Sequence, residues 1–152
     1  MQCKDGGRSV RDPQGFEGPR GEALGLGLLD VETELTGDKT LSAAQGATAG
    51  DDARFKGYEM HLGLTFGPGC DRPMVVFDDG RRDGAISADG RVRGCYAHGL
   101  FSEPAQRSAL LARLGGRGSG LSYEASVESA LDAVAAHLAR HIDLDRLLKL
   151  AA

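Results

Sequence analysis

The spacing of hydrophobic residues changes near residue 98, and this change is the strongest constraint on the fold. Before it, apolar and polar residues alternate, most clearly in residues 58–66, and a period of two is typical of β-strands. After it, the apolar residues in 122–141 recur every three or four positions, which is the period of an amphipathic helix. The sequence therefore predicts an α/β fold, with strands followed by C-terminal helices that cover a sheet.

Turn-forming residues divide the strand-rich part of the chain. Residues 6–21 are dense in Gly, Pro, Asp and Arg and are predicted to be a loop. A strand is predicted from Leu26 to Leu35, because Leu29, Val31 and Thr33 alternate with acidic residues. Residues 42–52 are rich in Ala and Gly and are predicted to be a connecting loop or a short hairpin return. Three Asp-Gly pairs predict hairpin turns between short antiparallel strands: Asp79-Gly80, Asp83-Gly84 and Asp89-Gly90.

Three helices are predicted after residue 98. Ser102 is a candidate N-cap for the first, with Pro104 in its first turn and Gly115-Gly116 at its end. The second covers about 122–141, and a short third covers about 143–150.

The predicted elements fit a single domain that is incomplete. A length of 152 residues is ordinary for one domain. A doubly wound α/β domain normally begins with a βαβ unit, and none is predicted before Leu26. We therefore expect residues 1–152 to form one partial domain.

Charge and hydropathy exclude several kinds of partner. The net charge of −4 gives no attraction for nucleic acid, which binds Lys/Arg-rich surfaces. Apolar runs stop well short of the roughly 20 residues that cross a bilayer, and the first residues do not form a secretory signal. We expect a cytoplasmic protein that binds neither nucleic acid nor membrane.

The three cysteines resemble neither a disulfide framework nor paired metal ligands, because they are odd in number and sparse. They are expected to be reduced. Cys95 lies in an apolar run and is interpreted as a buried small hydrophobic residue. Cys3 lies in a Gly-containing and flexible context, but the Lys-Asp after it does not resemble the turn that carries a nucleophile.

The four histidines are the other candidates for chemistry. His137 and His141 are four residues apart on the long predicted helix, but no third ligand accompanies them, so no metal site is predicted. His61 forms either a polar pair with Glu59 at a site or the solvent-facing side of a half-buried strand. His98 follows a strand and precedes a Gly and a helix start, where α/β folds carry catalytic groups; a capping or packing role is the alternative.

Several segments in order resemble the cobyric acid synthase family. Residues 57–63 (Gly-Tyr-Glu-Met-His-Leu-Gly) are similar to a strand motif of the family, and residues 94–101 (Gly-Cys-Tyr-Ala-His-Gly-Leu-Phe) to the segment with its catalytic histidine. Residues 8–18, 25–39 and 130–150 resemble further segments. A sibling family, which makes the a,c-diamide of cobyrinic acid, shares the layout, but residues 58–63 and 96–101 favour cobyric acid synthase.

The resemblance implies a class I glutamine amidotransferase domain with a flavodoxin-like fold. His98 would be the catalytic proton shuttle, and Tyr58, Glu59 and His61 would bind substrate. Glutamine would be the substrate, and an N-terminal ATP-dependent synthetase domain would be the partner that uses the ammonia to amidate corrin carboxylates in cobalamin biosynthesis. No cofactor or metal is expected for this chain.

One departure from the family concerns the nucleophile. The family's elbow has the form Gly-x-Cys-Gly-Gly-Tyr-Gln-Met-Leu-Gly, whereas this chain begins Met-Gln-Cys-Lys-Asp-Gly-Gly. Matching Gly7 to the last Gly puts the nucleophile just before Met1 and aligns Cys3 with the aromatic position. The expectation is an N-terminally truncated domain, without the elbow and the synthetase domain, that is inactive in isolation. The alternative is a noncatalytic module that recognises glutamine or docks on a separate synthetase subunit.

Overall fold

The computed structural model describes residues 2–151, which form a mixed sheet, a small second sheet and four α-helices. The helices of the described chain are α1 Cys3–Gly6, α2 Pro104–Arg113, α3 Tyr123–His141 and α4 Leu144–Ala151. Its strands are β1 Ser9–Asp12, β2 Gly21–Leu24, β3 Glu32–Thr48, β4 Arg54–Phe66, β5 Val75–Phe77, β6 Arg82–Asp83, β7 Ala85–Ile86, β8 Arg93–Gly94 and β9 Ala97–His98. Within residues 2–151, seven strands form the larger sheet: five follow the order β2-β1-β3-β4-β9, β5 pairs with β3, and β6 pairs with β5. The strands β7 and β8 form the smaller sheet.

The antiparallel hairpin of β3 and β4 is the centre of the larger sheet. The predicted strand over 58–66 is confirmed as part of β4. The predicted connecting loop over 42–52 is wrong, because β3 continues to Thr48; the alternative, a hairpin return, holds only for the turn at 49–53 that leads into β4. The Ala/Gly composition has another cause: β3 pairs with both β4 and β5 around Gly46, where a Cβ would lie 2.3 Å from Val76 O.

The predicted loop over 6–21 is wrong for Ser9–Asp12, which form the strand β1. Residues of β1 pair in parallel with β3 and antiparallel with β2, so partners distant in sequence override the local preference for turns. After β1 the chain is irregular, and the Asp12 carboxylate accepts hydrogen bonds from the backbone N–H groups of Gly15, Phe16 and Glu17 at 2.8–2.9 Å.

The alternation of Leu29, Val31, Thr33 and Leu35 is confirmed, because all four are buried. The predicted start of their strand at Leu26 is wrong, since β3 begins at Glu32. The backbone just before β3 forms hydrogen bonds with the N-terminal helix α1 and not with a strand. The N–H groups of Leu28 and Leu29 both donate to Gly6 O.

Two of the three predicted Asp-Gly hairpins are confirmed: Asp79-Gly80 joins β5 to β6, and Asp89-Gly90 joins β7 to β8. Asp83-Gly84 is not a hairpin, because it carries the chain from the larger sheet to the smaller one. Gly84 has φ +84°, and a Cβ there would lie 2.2 Å from Gly94 O. A glycine is needed for close passage as well as for backbone conformation.

The helix predictions hold except at one end. Ser122 caps α3 by accepting from Ala125 N, and Gly115, at φ +77°, follows the end of α2. The predicted cap at Ser102 is wrong, because α2 begins at Pro104 and Ser102 belongs to the 3-10 helix Leu100–Ser102.

The prediction that the C-terminal helices cover the sheet holds for α2 alone among the described elements. Gln106 of α2 is buried, and its amide donates to Thr48 Oγ1 at 3.2 Å and to Ala53 O. By contrast, α3 contains no buried residue. Within residues 2–151, no helix combines the length and apolar composition that crossing a bilayer requires.

Candidate active site

His98 lies at the end of β9, as predicted for a strand-end residue. It is the cross-strand partner of Tyr58, and Ala97 is the partner of Glu59. The chain then turns at Gly99, which has the left-handed φ of +78°, into the 3-10 helix. His98 is therefore held by a strand on one side and a tight turn on the other.

Two side chains contact the imidazole of His98. The ring of Tyr58 stacks on it, with centroids 5.0 Å apart and planes 5° from parallel. Gln2 Nε2 lies 3.5 Å from His98 Nε2, so the nitrogen edge of the ring faces the N-terminal segment. The imidazole is only partly buried, which leaves it accessible to a reacting group.

A cavity of about 1580 Å³ opens beside His98, between β9, α2 and α3. It exceeds the roughly 300–1,000 Å³ of typical small-ligand sites. Its lining includes Gln2, Cys95, His98, Leu100 and Tyr123. The space next to the imidazole can therefore hold a small substrate together with further polypeptide.

Glu59 and His61 lie on the face of β4 opposite to Tyr58. Glu59 is 5% exposed, so the interpretation of this side of the strand as solvent-facing is wrong. Its two carboxylate oxygens accept from His61 Nε2 at 3.1 Å and from Arg81 Nη1 at 2.8 Å. The structure does not bring this pair to His98; of the three predicted substrate-binding residues, only Tyr58 contacts it.

Glu59, His61 and Arg81 form a polar cluster on the face of β4 opposite to Tyr58. Two aspartates, Asp79 and Asp83, extend it. Asp79 and, after it, Glu59 raise the pKa of the Arg81 guanidinium through hydrogen bonds. Asp83 accepts from Tyr96 N at 2.7 Å, and burial raises the pKa of this carboxyl above its usual range. The cluster ties the β5–β6 hairpin to the segment that leads into His98.

None of the three cysteines, all within the described chain, is placed as a nucleophile. Cys3 is fully buried and donates to Gly94 O at 3.2 Å, so the flexible context inferred for it is wrong. Burial raises the pKa of Cys3 to about 12 and that of Cys95 to about 11. Burial also raises the pKa of the half-buried Cys70. The interpretation of Cys95 as a buried small residue is confirmed.

The remaining histidines form an exposed pair. His137 and His141 lie on α3 with ring centroids 4.6 Å apart. Among the residues described, no group of three or more His, Cys, Asp or Glu side chains is arranged to hold a metal ion.

Sequence reasoning missed two side chains of this region. Arg81 follows an Asp-Gly turn, and no local pattern shows that the hairpin curls back to Glu59. Gln2 is missed because its neighbour His98 is 96 residues away. Gly57 could have been identified from the sequence as a residue of this region, because it stands immediately before Tyr58 in the strand motif.

Residues 7–106 match the family model of the CobB/CobQ-like glutamine amidotransferase domain. The mixed sheet with C-terminal helices is accordingly the α/β, flavodoxin-like fold of a class I glutamine amidotransferase. Because the match covers well over half of the 152 residues, the chain belongs to the CobB/CobQ-like family of these domains.

Curated relatives show which enzyme the chain resembles within this family. The chain is 74% identical over 145 residues to the cobyric acid synthase of Methylocella silvestris. It is 54% identical to that of Bradyrhizobium sp. (strain BTAi1) and 55% identical to that of Beijerinckia indica subsp. indica. Each alignment covers 95% of this chain and 30% of the relative. The chain therefore spans about 30% of the length of these synthases.

Proposed function

We propose that this chain is the histidine-bearing part of the glutaminase region of a cobyric acid synthase, the region that supplies ammonia for amidation. The observation that carries the proposal is the placement of His98. Its Nε2 faces Gln2 and the ring borders the large cavity. A thiol located beside Gln2 would lie close to Nε2 of the imidazole.

The proposed chemistry assigns His98 the proton transfers of both half-reactions, formation and hydrolysis of the thioester. The imidazole takes the thiol proton as the sulfur attacks the side-chain carboxamide carbon of glutamine. It then returns a proton to the departing nitrogen, which releases ammonia and leaves a thioester. Water, deprotonated by the same imidazole, hydrolyses the thioester to glutamate and free thiol.

The 152-residue polypeptide should not turn over glutamine by itself. A thiolate is the reactive form of cysteine, and burial keeps Cys3 and Cys95 protonated. Burial also raises the pKa of the third thiol, Cys70. The use of the ammonia by an ATP-dependent synthetase domain to amidate corrin carboxylates is part of the same proposal, supported by the names and the greater length of the relatives.

A glutaminase assay on two polypeptides tests the proposal. The 152-residue chain should release no glutamate above background. A chimera, in which the preceding part of the Methylocella silvestris synthase is joined to this chain, should hydrolyse glutamine and lose turnover by about 10²-fold or more in the His98→Gln variant. Turnover by the short chain that disappears in Cys3→Ser would overturn the inactivity, and full activity of His98→Gln would overturn the role of the histidine.

The buried thiols favour one alternative, a noncatalytic module that binds glutamine or docks on a separate synthetase subunit. Calorimetry of the short chain with glutamine, and copurification with the preceding part of the relative, measure these two kinds of binding. Glutamine binding in a chimera that stays inactive would favour the module.

A further inference from the structure

The contact between Tyr58 and His98 is set by the sheet. The two residues are direct partners in the antiparallel pairing of β4 with β9, and such partners project from the same face. Their rings are 5.0 Å apart and nearly parallel, a favourable offset stack. The register of two strands, rather than a loop, thus brings the phenol ring against the imidazole.

Gly57 allows the two strands to approach this closely. A Cβ at this position would lie 1.9 Å from His98 O and 3.4 Å from Gly99 Cα. Any larger residue would push the end of β9 away from β4. Gly57 therefore places the main chain of His98, and Tyr58 places its ring.

The stack leaves the reactive edge of the imidazole free. Tyr58 covers one face of the ring, while Nε2 faces Gln2 and the cavity. Rotation of the imidazole out of its plane would break the stack, so the direction of Nε2 is restrained. Tyr58 is itself 43% exposed and lies on an open face of the sheet.

We propose that Tyr58 is a positioning residue for His98, holding the imidazole in the orientation from which it exchanges a proton with the thiol. The proposal rests on the proposed function and deepens it. It replaces the expectation that Tyr58 binds substrate. Acting through its ring, Tyr58 needs the aromatic face and not the hydroxyl.

NMR of the 152-residue chain tests the positioning without any turnover. The ring protons of His98, assigned by their loss in His98→Gln, should carry a ring-current shift from Tyr58. That shift should persist in Tyr58→Phe and disappear in Tyr58→Leu. The Leu64→Ala variant is the matched control, because Leu64 is exposed on the same face of β4 but does not pair with β9. Unchanged His98 resonances in a folded Tyr58→Leu variant would overturn the proposal.

Kinetics of the chimera test the consequence. Misplacement of a catalytic group by about 1 Å lowers rates by about 10²-fold, so Tyr58→Leu should lower kcat by roughly 10- to 100-fold with KM unchanged. Tyr58→Phe and Leu64→Ala should behave as the unmodified chimera. A raised KM with unchanged kcat in Tyr58→Leu would instead show a substrate contact and overturn the positioning role.

The two proposals fail in different ways. A folded chimera without glutaminase activity contradicts the proposed function, and the catalytic purpose of the stack falls with it. An active chimera whose kcat is the same in Tyr58→Leu contradicts only the positioning by Tyr58.

Discussion

The backbone of His98 lies so close to Gly57 that residue 57 has no room for a methyl group. A Cβ at residue 57 would lie 1.9 Å from a carbonyl oxygen of the sheet, which cannot move without displacing β9. We expect Gly57→Ala to lower the free energy of unfolding by about 1–3 kcal/mol, as for other overpacked sites. Urea unfolding measures the change. Gly18→Ala is the control, because no atom lies within 4 Å of a Cβ there; equal stability of the two variants would contradict the prediction.

The Asp12 carboxylate should make the protein less stable in acid. Hydrogen bonds from backbone N–H groups, that of Glu17 foremost, lower the pKa of Asp12 below its ordinary value of 3.8. A carboxyl with a lowered pKa stabilises the fold above its ordinary pKa, and this contribution is lost as the pH falls through the lowered value. Between neutral pH and pH below 3.8, the wild type should therefore lose more stability than Asp12→Asn.

Urea unfolding at a series of pH values measures this difference. Asp38→Asn, an exposed site in β3, should keep the acid dependence of the wild type. The interpretation of Asp12 fails if Asp12→Asn is as acid-sensitive as the unmodified chain.

The place of a site residue in its strand was predictable from the sequence where neighbouring residues determine it. His98 stands between an apolar run and a glycine, and this pattern correctly predicted the end of a strand. The alternation along β4 also separates Tyr58 from Glu59 and His61. Which of the two faces His98 shares depends on the pairing of β4 with β9, and the alternation within β4 does not show which of its residues lies opposite His98.

At the scale of elements, Gln106 joins α2 to the turn between β3 and β4. Its amide donates to Thr48 and to the carbonyl of Ala53, and the side chain is buried. We expect Gln106→Ala to lower the free energy of unfolding by about 2 kcal/mol, because it removes both hydrogen bonds that the buried amide donates. Thermal and urea unfolding measure the change.

Two further variants separate the causes. Gln106→Met retains most of the volume but no donor, and should be destabilised nearly as much as Gln106→Ala. Gln45→Ala, at an exposed position of β3, should be neutral. Wild-type stability of Gln106→Met would show that packing, and not hydrogen bonding, attaches α2.

Elements with local signals were predicted well, and elements defined by distant partners were not. The helix α3 has its cap at Ser122 and its apolar period within one stretch of chain. In contrast, β1 is a strand because residues 21–24 and 32–34 flank it. The Gly-rich end of β3 resembles a loop in sequence, yet it is extended because strands pair on both of its sides.

At the scale of the whole molecule, the outer face of the β3–β4 hairpin is apolar and exposed. We define this face by Leu41, Tyr58, Leu64 and Phe66, all of which are exposed. Contiguous apolar patches promote association. The short chain should therefore sediment as larger species with increasing concentration, and Leu41→Lys with Leu64→Lys should shift it towards monomer.

Sedimentation velocity over a range of concentrations measures this association. Leu114→Lys is the matched control, because Leu114 is also exposed, at the end of α2, and lies off the outer face. A monomer at every concentration, or an equal effect of Leu114→Lys, would contradict a role for this face.

The contact of α1 with the strands around His98 also bears on how the chain acquires its structure. The bond from Cys3 to Gly94 joins residues 91 positions apart, and Gln2 meets His98 across 96. Pairings of such separation slow folding, because a long loop must close before they form. During synthesis, Gln2 and Cys3 must therefore wait until the chain up to His98 has been made before their contacts with the strands around the imidazole can form.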